Sequence, residues 1–464
     1  MIYNSNDTIV ALATPNGAGA IACIRIAGKE SIKIVSEIFE PLKGKTFAES
    51  AQATMRLGNI MHNGSLVDEV LAAVFRAPHS YTGDDAVEIY CHGSSYIIQK
   101  ILSILIGKGC RTATPGEYTQ RAFLNGKMDL SQAEAVADLI ASSSAASHKV
   151  AITQMRGGFG NKLKELRAKL LNFVSLIELE LDFSEEDVEF ANRESLSSLA
   201  DNISEAIKKL IESFSAGNAL KNGIPVAIVG ETNAGKSTLL NLLLHDEKAI
   251  VSDVHGTTRD VIEDTMNING MLFRFIDTAG IRDTSDTIES MGIERTYKKI
   301  NEANIILWLV DINSTEKQIV EMANKIIPLS QGKTLVLIFN KIDSTNENIE
   351  SKKHFLEDKI PQRIFISAKM QTNIAELESL LSKVANIPNI DAQDIIVTNI
   401  RHYSALQKSH EAITRVQSSL QQNISIDLLT QDIRECVYNL GEITGEICTG
   451  EVLSNIFEKF CIGK

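Results

Sequence analysis

The residues best suited to chemistry in this chain form the glycine-rich stretch GETNAGKS, from Gly230 to Ser237. An apolar run at 224–229 precedes this stretch and a leucine-rich segment follows it, which predicts a strand, a glycine loop and a helix in that order. Backbone N–H groups of such a loop point at phosphate oxygens, Lys236 supplies positive charge, and the Ser237 hydroxyl can bind Mg²⁺. The stretch therefore predicts a site for nucleotide phosphates.

Three further motifs come directly after predicted strands: DTAG at 277–280, NKID at 340–343 and SAK at 367–369. The aspartate of the first motif can hold Mg²⁺ through water, and its glycine N–H can contact a γ-phosphate. The carboxylate of Asp343 can accept from both N–H groups on one edge of guanine, where adenine presents an acceptor. Four such motifs at one edge of a sheet predict a GTP-binding domain. The residues assigned to the nucleotide are Asn233, Ala234, Gly235, Lys236, Ser237, Thr238, Asp277, Thr278, Ala279, Gly280, Asn340, Lys341, Asp343, Ser367 and Ala368.

Hydrolysis of GTP needs a group that orients the attacking water, and Ras-like enzymes use a glutamine directly after the DxxG motif. This chain has Ile281 at that position, and its side chain can neither donate nor accept a hydrogen bond. The polar side chains that follow leave four alternatives, between which the residues alone do not choose: Arg282, Asp283, Asp286 and Glu289.

The unit that carries these motifs alternates strands and helices over residues 221–380. Helical periodicity lies on either side of it, with apolar stripes over 163–181, 196–214, 406–420 and 426–440. SQAE at 131–134 predicts a capping box before a helix at 135–141. Neither helical half alone closes a core, so one helical domain interrupted by the nucleotide-binding unit is the economical interpretation.

Residues 1–118 also alternate between strand-like and helix-like segments. Strands are predicted at 8–13, 20–26, 70–75 and 86–90, and helices at 31–39 and 95–106. Glu88 lies inside a predicted strand, which is an unusual place for a carboxylate, whereas His79 and His92 lack the spacing of metal ligands. The predicted fold class is therefore α/β plus all-α. It comprises a small N-terminal α/β domain (1–118), a discontinuous helical domain (119–220 and 381–464) and an inserted Ras-like P-loop G domain (221–380).

Composition and charge argue against several classes of protein. The chain has 464 residues and a net charge of −13, which argues against a protein that coats nucleic acid non-specifically. No run is apolar enough to cross a bilayer, and the first residues carry no basic targeting region. The six cysteines are scattered without a C-x-x-C pair, so a reducing, cytoplasmic location is expected.

The chain resembles the MnmE (TrmE) family of tRNA-modification GTPases over essentially its full length. The resemblance rests on GTTRD at 256–260, on Asn233 in the P-loop, and on the ending FCIGK at 460–464. The stretches SYTGDD at 80–85 and RAFLNGK at 121–127 are also similar to family sequences.

The resemblance implies a K⁺-activated GTPase that works as a homodimer with a FAD-containing MnmG (GidA) protein in a heterotetramer. Together they add an aminomethyl-type group to C5 of the wobble uridine of certain tRNAs. It also implies a one-carbon tetrahydrofolate, the 5,10-methylene or the 5-formyl form, in the N-terminal domain. The matching folate positions are Arg25, Glu88, Lys127 and Lys464.

The same resemblance assigns the catalytic glutamate to Glu289 and the tail cysteine needed for modification to Cys461. Alternatively, Cys461 is a buried helical residue that only packs. Mg²⁺ is expected at Ser237 and Thr258, and K⁺ at Asn233, Ser252, Val254 and Thr257. Two other hypotheses are an Era-type ribosome-assembly switch and a folate-binding protein whose G domain serves only assembly. An Era-type protein carries a compact basic domain after the G domain, where this chain continues with acidic helices.

Overall fold

The computed structural model describes residues 7–182, 193–245, 264–276, 300–344, 347–385, 395–422 and 426–463. The chain forms two compact units. The first contains Met1–Ala137, Gln154–Ser204 and Ala405–Lys464, and the second contains Asp138–Thr153 and Glu205–Ser404. No described helix has the length and apolar character that a membrane span requires.

The first unit begins with a seven-stranded sheet in the order β3-β4-β5-β6-β2-β1-β7, antiparallel except for the parallel pair β1–β7. One face of this sheet packs on α1 and α2, with Ile24, Val70 and Ile89 buried in the shared core. The strands are β1 Ile9–Leu12, β2 Ile21–Ala27, β3 Phe39–Pro41, β4 Thr54–His62, β5 Ser65–Phe75, β6 Ala86–His92 and β7 Arg111–Thr112, and the helices are α1 Ser31–Ser36 and α2 Ser95–Gly107.

The sequence prediction for this sheet missed β4 and extended α1 into β3. Strand β4 places Met55 and Leu57 on the exposed face and Ile60 on the buried face, so apolar residues occur on both faces. A register shift between Ile60 and Met61 interrupts the alternation further. A strand with apolar residues on both faces lacks the two-residue period that identifies strands in a sequence.

The remaining helices include α6, α7, α12 and α13, which confirm the predicted apolar stripes, and within the first unit α6 packs on α13. Their bounds are α3 Glu117–Leu124, α4 Leu130–Ala141, α5 Ala145–Met155, α6 Gly158–Asp182, α7 Arg193–Asn222, α12 Ile400–Gln421, α13 Ile426–Thr444 and α14 Gly450–Phe457. Because α6 precedes the nucleotide-binding unit in the sequence and α13 follows it, the helical domain is discontinuous, as predicted.

The predicted capping box at Ser131 and Glu134 is wrong by two residues. Helix α4 begins at Leu130, where Asp129 Oδ1 accepts the Gln132 N–H at 3.0 Å and the Gln132 side chain accepts the Asp129 N–H at 3.0 Å. Aspartate is at least as good an N-cap as serine, and here it lies two residues earlier.

The second unit contains a six-stranded sheet in the order β13-β12-β11-β8-β10-β9. All pairs are parallel except the hairpin β9–β10, whose turn residues Asn269 and Gly270 have φ of 52° and 79°. This hairpin confirms the two-residue turn predicted from Asn-Gly. The strands are β8 Ile224–Gly230, β9 Asp264–Ile268, β10 Met271–Phe275, β11 Ile305–Asp311, β12 Thr334–Asn340 and β13 Arg363–Phe365, and the helices are α8 Lys236–His245, α9 Glu316–Leu329, α10 Glu347–Lys352 and α11 Ile374–Val384.

Candidate functional site

The P-loop connects β8 to α8, as predicted, and two of its glycines are required by close backbone approach. A Cβ at Gly230 would lie 2.3 Å from the Leu309 carbonyl oxygen, and a Cβ at Gly235 would lie 2.2 Å from Asn340 Nδ2. Both residues also have positive φ, a conformation that glycine adopts without strain. Lys236 Nζ donates to the carbonyl oxygens of Gly230 at 2.9 Å and Glu231 at 2.7 Å, so its ammonium group lies against the loop.

Asn340 connects three of the predicted motifs through its buried carboxamide, which is only 2% exposed. Its Nδ2 donates to the Ala234 carbonyl of the P-loop at 2.9 Å, and its Oδ1 accepts the Ala368 N–H at 3.0 Å. The P-loop, the NKID turn and the SAK turn are therefore held together at the carboxyl ends of the parallel strands, where α/β proteins bind ligands.

Asp343 lies exposed at the same edge of the sheet. Its Oδ1 accepts the Ser367 hydroxyl at 2.5 Å, and Ser367 Oγ in turn accepts the Met370 N–H at 3.1 Å. The carboxylate predicted to recognise guanine is thus oriented by the last motif of the series.

Several assigned residues lie outside the part of the chain that the structure describes. They are Ser252, Val254, Thr257, Thr258, Asp277, Thr278, Ala279, Gly280, Glu289 and Lys464. Of the assigned metal ligands, the structure describes two. Ser237 is half-buried in the first turn of α8, and Asn233 is exposed in the P-loop with a φ of 65°.

A second cluster of predicted residues lies on the sheet of the first unit, where Arg25 on β2 is the register partner of Glu88 on β6. Arg25 Nε and Nη2 lie 2.9 and 2.8 Å from Glu88 Oε1, and the Tyr90 hydroxyl donates to Glu88 Oε2 at 2.6 Å. The Arg25 guanidinium is 5.7 Å from the ring centres of both Tyr81 and Tyr118. The hydrogen bond to Glu88, together with burial, raises the pKa of Tyr90 above its ordinary value.

The C-terminal tail reaches this cluster. Arg25 Nη1 donates to the Gly463 carbonyl at 3.2 Å, and the Gly116 N–H donates to the Cys461 carbonyl at 3.4 Å. A Cβ at Gly463 would lie 2.5 Å from the Leu12 carbonyl oxygen, so the tail backbone packs directly on β1. Phe457 anchors the segment in a small apolar core with Leu130 and Phe460.

The interpretation of Cys461 as a buried helical residue that only packs is wrong, since Cys461 is exposed and follows the end of α14 at Phe457. Lys127 also differs from Arg25 and Glu88 in its contacts. Its Nζ donates to the Pro78 carbonyl at 2.8 Å, which places it against the 78–85 loop, and no contact with Arg25 or Glu88 is seen among the described residues. That loop contributes Tyr81 to the cluster.

Sequence reasoning missed the three tyrosines around Arg25 and Glu88. Tyr90 carried a usable signal, because it is two residues from Glu88 on the same strand and therefore on the same face. Tyr81 and Tyr118 approach Arg25 from a loop and a helix, which no local pattern indicates. His92, which lacks the spacing of a metal ligand, is hydrogen-bonded, with Nδ1 2.7 Å from Asp68 Oδ1.

Two family models and several full-length relatives match this chain. Residues 8–127 match the model of the GTP-binding protein TrmE N-terminus, and residues 130–461 match that of the MnmE helical domain. A tRNA modification GTPase MnmE from Bacteroides thetaiotaomicron is 58% identical over 465 residues, covering 99% of this chain and 100% of that protein. The protein of the same name from Flavobacterium psychrophilum is 50% identical over 470 residues, covering 100% of both chains.

Among solved structures, Aquifex aeolicus Era bound to GDP.AlF4- is 28% identical and covers 40% of this chain and 66% of that chain. Its TM-score of 0.28 is too low to support a functional inference. The family models and the full-length relatives, in contrast, together cover both described sites. This chain belongs to the MnmE family of tRNA modification GTPases.

Proposed function

We propose that this GTPase is activated by K⁺ and acts with an MnmG (GidA)-like flavoprotein to add a carboxymethylaminomethyl group to C5 of wobble uridine 34 of certain tRNAs. The observation that carries the proposal is the contact of the C-terminal tail with Arg25, which is itself paired with Glu88. The first unit thus carries a charged and aromatic cluster that contains none of the nucleotide motifs. This cluster is a second candidate site for binding or catalysis. Full-length identity to tRNA modification GTPases favours this function over an Era-type switch.

In the nucleotide site, Asp343 accepts hydrogen bonds from guanine and the P-loop N–H groups hold the phosphates. Ser237 and Thr258 are the proposed Mg²⁺ ligands, and Asn233, Ser252, Val254 and Thr257 the proposed K⁺ ligands. The exposed carboxamide of Asn233 offers an oxygen of the kind that K⁺ takes, at a loop position next to the phosphates. When bound there, the cation neutralises charge that develops on the phosphates.

Ile281 cannot orient the attacking water. Among the polar side chains that follow it, we propose Glu289 for this role, because the family resemblance assigns the catalytic glutamate to that position. Replacing K⁺ with Na⁺ should slow GTP turnover more than about tenfold, since the developing charge is then less well compensated. Glu289→Ala should abolish turnover and leave GTP affinity near normal. Equal turnover in the two salts would exclude the K⁺ assignment, and a fully active Glu289→Ala variant would exclude the role of Glu289. If Glu289→Ala is inactive as a GTPase but still supports tRNA modification, the G domain serves only assembly.

In the first unit, we propose that Arg25, Glu88, Lys127 and Lys464 bind the one-carbon tetrahydrofolate, in its 5,10-methylene or 5-formyl form. The Glu88 carboxylate can accept from the paired N–H groups of a pterin, and the tyrosines offer ring faces for stacking. Titration of 5-formyl-tetrahydrofolate should show that Glu88→Gln weakens binding about tenfold or more, the loss typical of a charge-assisted hydrogen bond. Glu69→Gln, on the same sheet but exposed, is the matched control and should bind normally.

A homodimer is proposed on the exposed face of the N-terminal sheet. Met55, Leu57 and Leu71 are 52%, 48% and 40% exposed, and Leu57 is the register partner of Leu71. Leu71 also pairs with Tyr90, so the apolar patch continues into the Glu88 cluster. A second copy would cover this patch. Leu57→Glu with Leu71→Glu should convert the dimer to a monomer by light scattering, and an unchanged mass would exclude this face.

The proposed assembly contains two copies of this chain, the FAD-containing partner and tRNA, and it works in the cytoplasm, where tRNAs are modified. The domain boundaries near residues 118, 220 and 380 remain part of the proposal. They predict that proteolysis near residues 220 and 380 releases a fragment that still binds GDP.

A further inference from the structure

Asp311 lies at the carboxyl end of β11, beside the turn that recognises the base. It is the register partner of Asn340, the first residue of the NKID motif. Its Oδ2 accepts Lys341 Nζ at 2.7 Å. No role for Asp311 follows from the four nucleotide motifs, because it belongs to none of them.

The carboxylate of Asp311 is held in place by its own loop. Its Oδ1 accepts from the backbone N–H of Asn313 at 2.9 Å and from Asn313 Nδ2 at 3.1 Å. The loop backbone is fixed in turn by Lys352, whose buried Nζ donates to the carbonyls of Ile312 and Ser314. Asp311 is therefore a rigid anchor rather than a mobile surface carboxylate.

The turn beside this anchor holds Lys341 in a strained conformation. Its φ of 67° is in the left-handed region, which a lysine adopts at an energetic cost. Ser344 Oγ donates to the Lys341 carbonyl at 2.7 Å and accepts from Asn313 Nδ2 at 2.8 Å, so the same loop also supports the far side of the turn. This backbone lets Asn340 point inward to the P-loop while Asp343 stays at the exposed edge.

We propose that Asp311 is a positioning residue for guanine recognition: its ion pair with Lys341 stabilises the left-handed turn that aims Asp343 at the base. The ligand is the guanine nucleotide itself, and Asp311 acts on it through Lys341. This inference rests on the proposed role of Asp343 as the guanine-recognising carboxylate.

The pair is partly exposed, with Lys341 at 37% and Asp311 at 26%. A pair of this kind contributes modestly to stability. The chain offers a matched control in Lys221 and Asp138, a pair of the same chemistry at 2.8 Å and 28% and 19% exposed. It is not part of the nucleotide motifs, and Asp138→Asn should therefore leave nucleotide binding unchanged.

The test measures the Kd of fluorescent GDP and IDP on the full chain carrying Asp311→Asn, Lys341→Met, both changes, or Asp138→Asn. IDP lacks the exocyclic amino group that Asp343 recognises. Asp311→Asn should weaken GDP binding about fivefold, close to the ~1 kcal/mol that such a pair contributes. The ratio of the IDP to the GDP Kd should fall about threefold, because Asp343 is aimed less well. In the Lys341→Met background, Asp311→Asn should add almost nothing.

Wild-type GDP binding by Asp311→Asn would overturn the proposal, and so would a full-size effect in the Lys341→Met background. An equal loss for GDP and IDP would also overturn it, because general loosening of the fold does not discriminate between bases. The Asp343→Asn variant distinguishes a failure of the role of Asp343 from a failure of the role of Asp311. If that variant keeps its guanine preference, the assignment of Asp343 fails; if it loses the preference while Asp311→Asn does not, only the role of Asp311 fails.

Discussion

Replacing Asn340 by alanine removes both hydrogen bonds that connect the P-loop, the NKID turn and the SAK turn. The change leaves the Ala234 carbonyl and the Ala368 N–H without the partners that they have now. A buried polar group left unsatisfied costs about 1–3 kcal/mol. Two groups would be left unsatisfied, and water would reach them in part after the truncation. The free energy of unfolding of the second unit should therefore fall by about 2–4 kcal/mol.

Urea unfolding followed by tryptophan fluorescence measures this loss. Trp308 is the single tryptophan of the chain and is buried on β11, where it pairs with Leu337 of β12. The signal therefore reports on the G-domain sheet alone. With a slope of about 2 kcal/mol per molar urea, the midpoint should fall by about 1–2 M.

Asn222→Ala is the matched control, because Asn222 is exposed and its side chain donates to Asn218 within the same helix. It should change the free energy of unfolding by less than about 0.5 kcal/mol. If Asn340→Ala is as stable as this control, the hydrogen bonds of Asn340 do not hold the three motifs together.

Three further predictions concern the first unit. Iodoacetamide at pH 8 should modify exposed Cys461 readily and Cys436 hardly at all by peptide mass spectrometry, since burial raises the pKa of the Cys436 thiol to about 12 and the thiolate is the nucleophile. Gly463→Ala, at a φ of 94° and against the Leu12 carbonyl, should loosen the tail and raise its trypsin cleavage rate severalfold; an unchanged rate would contradict the docking. Burial raises the pKa of Glu117, but its bonds to Arg111, Arg121 and the Thr114 N–H outweigh this and hold the pKa below its usual value. The stabilisation from Glu117 is therefore present above a pH of about 4.3 and lost as the pH falls through its lowered pKa, and Glu117→Gln should flatten this acid dependence in thermal unfolding.

The common location of the P-loop, the NKID turn and the SAK turn was predictable because the sequence signals for these motifs are local. Each motif follows its own strand, and parallel strands bring their carboxyl ends to one edge, so the contact of Asn340 with Ala234 follows from topology. The ion pair of Asp311 with Lys341 was not predictable, since an aspartate at the end of a strand carries no pattern that identifies Lys341 as its partner.

The cluster of Arg25 and Glu88 that the C-terminal tail contacts was harder to predict from the sequence. Arg25 and Gly463 are 438 residues apart, and no periodicity or spacing encodes a contact of that range. The family resemblance, not the residue pattern, indicated that Arg25 and Glu88 belong to one site. Tyr81 and Tyr118 complete that site through a loop and a helix whose positions depend on tertiary packing.

The main proposal is that GTP hydrolysis in this chain serves the modification of wobble uridine. Its most direct test is mass spectrometry of nucleosides from the tRNA of cells that lack the native protein and carry either wild type, Glu88→Gln or Lys236→Ala. Wild type should restore carboxymethylaminomethyluridine, and both variants should leave it below about a tenth of the wild-type level, because one loses the proposed folate contact and the other the proposed phosphate contact. Full restoration by Lys236→Ala would contradict the account.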